Sequence, residues 1–296
     1  MDEQELENWR KAGQIAKEVS DYAKTLIQEG MSLLKIADLI ELKISELGGK
    51  PAFPVNLSIN EIAAHYSPFS NDPSITEGLI KIDLGVEYNG CLSDTAFTVD
   101  LTAEKEYSEL IKATELALEE ALKKIKPGVS VSDIGKAIEE KIKEYGFRPV
   151  KNLSGHEMKK WNLHAGLTIP NYNSKVSSKL REGMILAIEP FATSGKGMVK
   201  DGMPSGIYRM ISKKAVNNED TKKIIDHIEK NYSTLPFTSR WLVDIFGDNV
   251  VSHLNMLERL GMIHQFAQLR EISDQPVAQA EHTIFITSDG CEILTN

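Results

Sequence analysis

The sequence predicts an α+β fold whose core is built twice, with a mostly helical insertion in the second part of the chain. Two stretches about a hundred residues apart repeat the order helix, helix, strand. A strong hairpin signal lies in the first stretch, and residues 197–271 follow neither repeat. We therefore expect one domain made of residues 1–196 and 272–296, interrupted by a helical, winged-helix-like insertion at 197–271.

Each repeat begins with two helices. Residues 8–29 place apolar side chains along one face, and residues 103–126 have the same amphipathic character. A glycine-containing turn that ends in serine opens the second helix of each repeat, at residues 30–32 and 128–130. The order of elements is therefore the same in both repeats.

The two second helices also agree residue by residue. At a separation of 98 residues, the identical pairs include Ile36 and Ile134, Ile40 and Ile138, Glu41 and Glu139, Ile44 and Ile142, and Gly48 and Gly146. Helical amphipathicity alone would produce some matches, but identities at turns do not follow from periodicity. A duplicated unit predicts a pseudo-twofold axis, with one carboxylate from each repeat, Asp83 and Glu189, meeting near it.

Two aspartates lie on the hairpin of the first repeat. The Asn-Gly dipeptide at 89–90 is a two-residue turn signal between two apolar, β-prone runs. With this turn Asp94 lies opposite Gly85, and Asp83 is its diagonal neighbour on the same face, about 7–8 Å away. Such a pair could converge on ions about 3.5–4 Å apart, the spacing in two-metal hydrolases. The alternative is a pair of solvated aspartates, although aspartate is depleted from strands.

Three further residues would complete a metal shell. His156 follows a Ser-Gly pair, Glu189 ends an apolar run, and Glu281 precedes a β-prone segment. A carboxylate at the end of a buried strand is costly unless it is paired or bound to metal. Four carboxylates and one imidazole form an oxygen-rich set that suits Mn, Fe(II), Co or Zn rather than a cysteine-based structural zinc site. Two other histidines, His65 and His164, do not look like ligands.

The insertion has a different pattern from the repeats. Its apolar periodicity predicts helices near residues 224–228, 241–246 and 250–260. A short wing-like pair of strands is expected from Gly261 onward. Strand character returns at 282–286, so we expect the last strands to close the first domain.

Composition and charge limit the functional classes. A net charge of −9 argues against sequence-independent nucleic-acid binding, which needs clustered Lys and Arg. Two cysteines are too few for a disulfide framework, so a reducing cytoplasm is expected. The acidic N-terminus and the lack of any run of about 20 apolar residues predict neither a signal segment nor contact with a membrane.

Seven short segments carry a family resemblance. They are residues 51–60 (PAFPVNLSIN), 81–85 (KIDLG), 93–96 (SDTA), 154–156 (SGH), 163–166 (LHAG), 188–191 (IEPF) and 279–283 (QAEHT). In order and spacing, over nearly the whole chain, they resemble the type 2 methionine aminopeptidases of peptidase family M24. The resemblance implies a pita-bread fold, with the insertion as the feature that separates type 2 from type 1, and a monomer.

The resemblance also implies the site. It assigns two divalent metal ions to five ligands, Asp83, Asp94, His156, Glu189 and Glu281, with Asp94 and Glu281 bridging. It makes His65 and His164 substrate contacts, and His65 the counterpart of the residue that spiro-epoxide natural products attack. The substrates would be the N-termini of nascent polypeptides, with possible transient ribosome contact and no direct nucleic-acid binding.

The mechanism we expect is metal-assisted hydrolysis that removes the initiator methionine when the second residue is small. Glu189 would shuttle a proton to the leaving amine, while His164 would stabilise the oxyanion and His65 would contact the scissile amide. Phe53 and Leu163 would line the apolar S1 pocket for the methionine side chain.

Two other functions remain open. Xaa-Pro aminopeptidases and prolidases share this fold and ligand set, but the insertion and the segment around Phe53 argue against them. A non-catalytic homologue that binds ribosomes or RNA would be expected to lose ligands and to carry basic surfaces. This chain keeps all five ligands and is acidic.

Overall fold

The computed structural model describes residues 1–296, which form seven helices and fifteen strands. The helices are α1 (Glu3–Leu26), α2 (Leu33–Glu46), α3 (Ser108–Lys124), α4 (Val131–Glu144), α5 (Glu219–Asn231), α6 (Ser239–Phe246) and α7 (Val250–Arg259). The strands are β1 (Lys50–Ile59), β2 (Ile62–Ala64), β3 (Leu79–Tyr88), β4 (Cys91–Asp100), β5 (Arg148–Pro149), β6 (Ser154–Met158), β7 (Thr168–Pro170), β8 (Ile185–Ile188), β9 (Phe191–Thr193), β10 (Val199–Met210), β11 (Phe237–Thr238), β12 (Ile263–Glu271), β13 (Val277–Gln279), β14 (His282–Ile286) and β15 (Cys291–Ile293). None of the helices combines the length and the apolar character that crossing a bilayer requires.

The core consists of two similar halves. In the first half, α1 and α2 pack on the sheet β1-β3-β4, and in the second half, α3 and α4 pack beside the sheet β15-β14-β8-β6-β7. Each half encloses its own cluster of buried apolar side chains, contributed by its two helices and by its strands. The predicted α+β core with a pseudo-twofold duplication is therefore confirmed.

The turns that open α2 and α4 are built alike. Gly30 and Gly128 have φ values of 79° and 87°, a region that residues with a Cβ rarely adopt. Their N–H groups donate 2.9 Å hydrogen bonds to backbone oxygens of a loop about fifty residues later in the chain, Gly30 to Thr76 and Gly128 to Leu180. A serine then caps each helix. Equivalent bonds at equivalent positions reflect a duplication rather than shared amphipathicity.

The hairpin of the first half has the predicted turn and register. Asn89 and Gly90 take φ values of 52° and 85°, as a tight two-residue turn requires, and Gly85 pairs with Asp94. A Cβ at Gly85 would lie 2.3 Å from Cε1 of Phe53 on β1, so glycine makes room for the aromatic ring. The hairpin and β1 thus bring Asp94, Gly85 and Phe53 side by side.

Helix α3 begins later than its amphipathic pattern predicts. The pattern covers residues 103–126, whereas the helix begins at Ser108. The buried carboxylate of Asp100 accepts hydrogen bonds from the N–H groups of Thr102 and Tyr107, at 2.9 and 2.7 Å. These bonds hold the intervening residues in a turn, so the helix begins only at Ser108.

The insertion contains the three predicted helices, α5, α6 and α7, which share a buried apolar cluster. It also contains a long antiparallel ribbon in which β12, the strand after Gly261, pairs with β10, so the expectation of a short wing-like strand pair from Gly261 onward was wrong. Residues 201–206 (DGMPSG) have the composition of a loop, and the ribbon accommodates them through register irregularities around Pro204. Because β12 also pairs with β2, the ribbon is hydrogen-bonded to the first half.

Candidate metal centre and substrate cleft

A cavity of about 250 Å³ lies where the two halves and the insertion meet. The nine residues singled out from the sequence all line it: Phe53, His65, Asp83, Asp94, His156, Leu163, His164, Glu189 and Glu281. The insertion adds apolar lining that the sequence did not predict: Ile207, Pro236, Phe266 and Leu269. The cavity therefore combines a carboxylate cluster with apolar surface, a composition typical of ligand sites.

Neighbouring strands bring the five candidate ligands together. Asp83 lies on β3, Asp94 on β4 and His156 on β6. Glu189 immediately follows β8, and Glu281 immediately precedes β14. Both halves of the molecule thus contribute to one site, as the duplication predicts.

The two sheets are joined directly at the candidate ligands. Asp94 exchanges two 2.7 Å hydrogen bonds with the Thr283 hydroxyl, which donates to its carbonyl oxygen and accepts from its N–H. Glu281 donates its N–H to the Ala96 carbonyl oxygen, and its own carbonyl oxygen accepts from the Thr95 hydroxyl, each at 2.9 Å. These bonds fix the Asp94 backbone relative to that of Glu281.

Three of the candidate ligands form a compact group. One ligand atom each from Asp94, His156 and Glu281 lies within 4.8 Å of the other two. Nε2 of His156 is 3.4 Å from Oδ2 of Asp94 and 3.9 Å from Oε1 of Glu189. This nitrogen therefore faces the carboxylates and is the ligand atom that the geometry offers.

Gln279 connects the fourth carboxylate, that of Asp83, to this group, although no role was predicted for it from the sequence. Its Nε2 donates to Oδ2 of Asp83 at 3.3 Å and to Oε2 of Glu281 at 3.4 Å. Its backbone is held by Thr98, whose hydroxyl donates to the Gln279 carbonyl oxygen and accepts from its N–H. The signals in the sequence are its place two residues before Glu281 and its position at the start of the segment 279–283.

Of the four carboxylate residues, Asp94 and Glu281 are buried and Asp83 and Glu189 are half-buried, and they have too few hydrogen bonds to stabilise four negative charges. Burial raises the pKa of Asp83, Glu189 and Glu281 well above their ordinary values, and the neighbouring carboxylates add to the shift. Burial also raises the pKa of Asp94 to about 7. One oxygen each of Asp83, Asp94 and Glu281 has no hydrogen-bond partner. A divalent cation would satisfy these oxygens and favour the ionised forms, so the residues fit a metal site.

The two histidines of the second half are neutral near pH 7. Burial lowers the pKa of His156 to about 4, and burial together with the proximity of His156 lowers the pKa of His164 to about 3. The centres of the two rings are 4.3 Å apart. A neutral imidazole is the form that can ligate a metal or exchange hydrogen bonds with a substrate.

His65 is held in an unusual conformation at the first-half side of the cavity. Its φ is 64°, its Nδ1 lies 3.2 Å from the carbonyl oxygen of Ala267, and its ring packs edge-on against Phe266 at 5.5 Å. Because a carbonyl oxygen can only accept, Nδ1 carries the proton and Nε2 retains its lone pair. Burial lowers the pKa of His65, so this ring is also neutral near pH 7.

Phe53 and Leu163 come from opposite halves and contribute to the same apolar cluster. Phe53 lies on β1, beside Gly85, and Leu163 lies in the loop after β6. Both side chains are buried, and both border the cavity next to the carboxylates. Together they form an apolar surface that a methionine side chain could contact.

Comparison with known proteins identifies relatives of the whole chain. Residues 7–229 match metallopeptidase family M24. The methionine aminopeptidase of Methanocaldococcus jannaschii is 44% identical over 98% of this chain and 99% of that protein. The methionine aminopeptidase of Thermococcus onnurineus is 43% identical over 96% of this chain and 97% of that protein.

Solved structures of low sequence identity share the fold. A thermophilic Arx1 superposes with a TM-score of 0.87 at 18% identity, over 99% of this chain and 91% of that one. The methionine aminopeptidase of Thermotoga maritima gives 0.72 at 24% identity, over 100% and 98%. The prolidase of Pyrococcus furiosus gives 0.62 at 21% identity, over 100% and 64%. The pita-bread fold implied by the sequence resemblance is thereby confirmed.

Proposed function

Because this chain belongs to the methionine aminopeptidases of metallopeptidase family M24, we propose that it is a metal-dependent methionyl aminopeptidase. Its substrates are nascent polypeptides with a small second residue, from which it removes the initiator methionine. The observation that carries the proposal is the buried group of Asp94, His156 and Glu281 beside an apolar pocket, in a chain similar to such enzymes along its whole length. The enzyme acts in the cytoplasm as a monomer, with at most transient contact with the ribosome.

Five residues would hold two divalent ions: Asp83, Asp94, His156, Glu189 and Glu281. Asp94 and Glu281 lie with His156 in one compact group, which supports counting both among these ligands. The oxygen-rich set suits Co, Mn, Fe(II) or Zn. When bound, the metal pair supplies an activated water and neutralises negative charge that develops during peptide hydrolysis.

The chain's own residues position the substrate and move its protons. Glu189, at the edge of the cavity, accepts a proton from the attacking water and delivers it to the leaving amine. His164 stabilises the oxyanion that develops on the scissile carbonyl, and its proximity to His156 supports a place close to the reaction centre. His65 contacts the scissile amide through Nε2, the nitrogen that its bond to Ala267 leaves free.

The apolar lining supports selectivity for methionine. Phe53 and Leu163 form the S1 surface that receives the unbranched side chain. The lining residues of the insertion, among them Phe266, face the same cavity, and they limit the space both for the methionine side chain and for the second residue, which must be small. Residues 197–271 act in this proposal as the type 2 insertion on the catalytic domain.

The proposal is tested by comparing peptides on one purified, metal-loaded preparation. A methionyl aminopeptidase releases Met from Met-Ala-Ser and leaves Ala-Pro-Ser intact, whereas an Xaa-Pro aminopeptidase does the reverse. Hydrolysis of neither peptide over a series of divalent metals would instead indicate a non-catalytic binding protein. Preferential hydrolysis of Ala-Pro-Ser would overturn the assignment.

A further inference from the structure

A buried ion pair joins the insertion to the catalytic core. Arg240 of α6 and Glu41 of α2 are both less than a tenth exposed. The guanidinium binds the carboxylate through two hydrogen bonds, Nη1 to Oε2 at 2.9 Å and Nη2 to Oε1 at 2.8 Å. Nη1 also donates to Asp38 at 2.7 Å. This bidentate arrangement fixes the orientation of both side chains.

The same two side chains make three further hydrogen bonds, which add two more segments to the junction. Oε1 of Glu41 accepts the N–H of Val55 on β1 at 3.2 Å, and Oε2 accepts the indole N–H of Trp241 at 2.7 Å. Nε of Arg240 donates to the carbonyl oxygen of Pro68 at 3.2 Å. One carboxylate and one guanidinium therefore join α2, β1, α6 and the loop after His65.

The joined segments carry residues that border the cavity. Val55 follows Phe53 by two residues, and Pro68 follows His65 by three. On the insertion side, Pro236 borders the cavity and immediately precedes β11, which pairs with β10 at Ile207 and leads directly into α6. A shift of Arg240 relative to Glu41 would therefore move the insertion's lining relative to Phe53.

The energetics of buried ion pairs favour a positioning role. Removing two charges from water costs about as much as their attraction returns, so such a pair contributes little net stability compared with apolar packing. Its directional bonds, in contrast, permit one relative position of the elements that they join. We propose that Glu41 and Arg240 are positioning residues that set the width of the substrate cleft and thereby its selectivity for the unbranched methionine side chain. This inference rests on the proposed aminopeptidase function.

The duplication provides an internal control. Glu139 occupies in α4 the place that Glu41 occupies in α2, 98 residues earlier. Its carboxylate accepts the N–H of Asn173 at 3.0 Å and pairs with Lys143. Glu139 borders neither the cavity nor the insertion, so its replacement tests for a general effect of losing a helix carboxylate.

The experiment compares Met-Ala-Ser with Leu-Ala-Ser on the wild type and on Glu41→Gln, Arg240→Lys and Glu139→Gln. The ratio of the two kcat/KM values measures selectivity and does not depend on the fraction of active protein. In Glu41→Gln and Arg240→Lys the Met-to-Leu ratio is expected to fall about tenfold, the lower end of what a small misfit in an apolar pocket is worth. In Glu139→Gln the ratio stays at the wild-type value. Trp241→Phe, which removes the indole hydrogen bond to Glu41 and keeps an aromatic ring, gives a smaller fall in the same direction.

The outcomes separate the inference from the function on which it rests. If the wild type does not hydrolyse Met-Ala-Ser, the proposed function fails before any variant is compared. If the wild type is selective and Glu41→Gln, Arg240→Lys and Trp241→Phe all keep its ratio, the pair has only a structural role and the inference is overturned. An equal fall in Glu139→Gln would overturn it as well. Should one variant fail to fold, the remaining two decide the question.

Discussion

At His65, the backbone conformation and one hydrogen bond determine which ring nitrogen is available to a substrate. The bond from Nδ1 to Ala267 leaves Nε2 with its lone pair, and burial lowers the pKa of the ring. A neutral imidazole next to a substrate pocket is both a hydrogen-bonding group and a nucleophile. This geometry agrees with the resemblance, which makes His65 the counterpart of the residue that spiro-epoxides attack.

We therefore predict covalent labelling of His65 by a spiro-epoxide inhibitor, located by peptide mass spectrometry. Because burial lowers the pKa of His65, the labelling rate should fall less between pH 7.5 and pH 6 than that of a histidine with an ordinary pKa. A histidine with an ordinary pKa near 6.5 would lose reactivity about fourfold over the same range. His264, which packs against the same Phe266 ring but is exposed, is the control residue and should remain unmodified. Labelling of His264 instead of His65 would contradict this account.

Phe53 provides a second test at the scale of one residue. If its ring forms part of the S1 surface, Phe53→Ala should weaken transition-state binding of methionyl peptides by about 1–3 kcal/mol. The loss should be larger for Met than for Ala at the first position, because the short side chain does not reach the ring. Phe97→Ala, in a half-buried site on the same sheet, serves as the matched control. Equal losses for both first residues would show that Phe53 only supports the fold.

At the scale of elements, the loop that precedes α3 shows how one side chain sets a helix boundary. Burial disfavours ionisation of Asp100, but hydrogen bonds from Thr102 and Tyr107 outweigh this effect and lower its pKa. A carboxyl group whose pKa is lowered on folding stabilises the fold above its unfolded pKa. That contribution is lost as the pH falls through the folded pKa.

Asp100→Ala should therefore destabilise the protein by about 1.5–3 kcal/mol at pH 7, the usual contribution of hydrogen bonds to a charged group. Chemical denaturation measures the difference. The difference should shrink below about pH 4, near the ordinary pKa of aspartate, and disappear in more acidic solution. Asp2→Ala, which removes the exposed cap of α1, is the control and should cost less because its single bond is solvent-exposed. A difference that is constant down to pH 2 would rule out the ionised carboxylate as its source.

Some of these elements could be predicted from the sequence, and others could not. The hairpin register follows from a local Asn-Gly turn, and the duplication is visible because it repeats turns as well as helices. The β10–β12 ribbon was missed because its strands lie more than fifty residues apart and residues 201–206 resemble a loop. Gln279 and the pair of Glu41 with Arg240 depend on contacts between distant segments, for which one sequence gives no pattern.

At the scale of the whole molecule, the cavity exists only because three parts of the chain are held together. The exchange of hydrogen bonds between Asp94 and Thr283 joins the two halves behind the ligands, and β12 together with Arg240 joins the insertion to the first half. The buried carboxylates oppose this assembly unless a cation neutralises them. Adding divalent metal to protein from which a chelator has removed metal should therefore raise its thermal stability as well as its activity.

The decisive measurement is methionine release from Met-Ala-Ser by protein from which a chelator has removed metal, as divalent metal is added back. We expect the metal-depleted wild type to be inactive and its activity to return as metal binds, reaching a maximum by two ions per chain. Asp94→Asn, which removes charge from the centre of the group, should keep the wild-type circular dichroism spectrum and lose turnover at every metal concentration. Full methionine release by the metal-depleted wild type, or near-normal release by metal-supplemented Asp94→Asn, would contradict the proposed metal-dependent function.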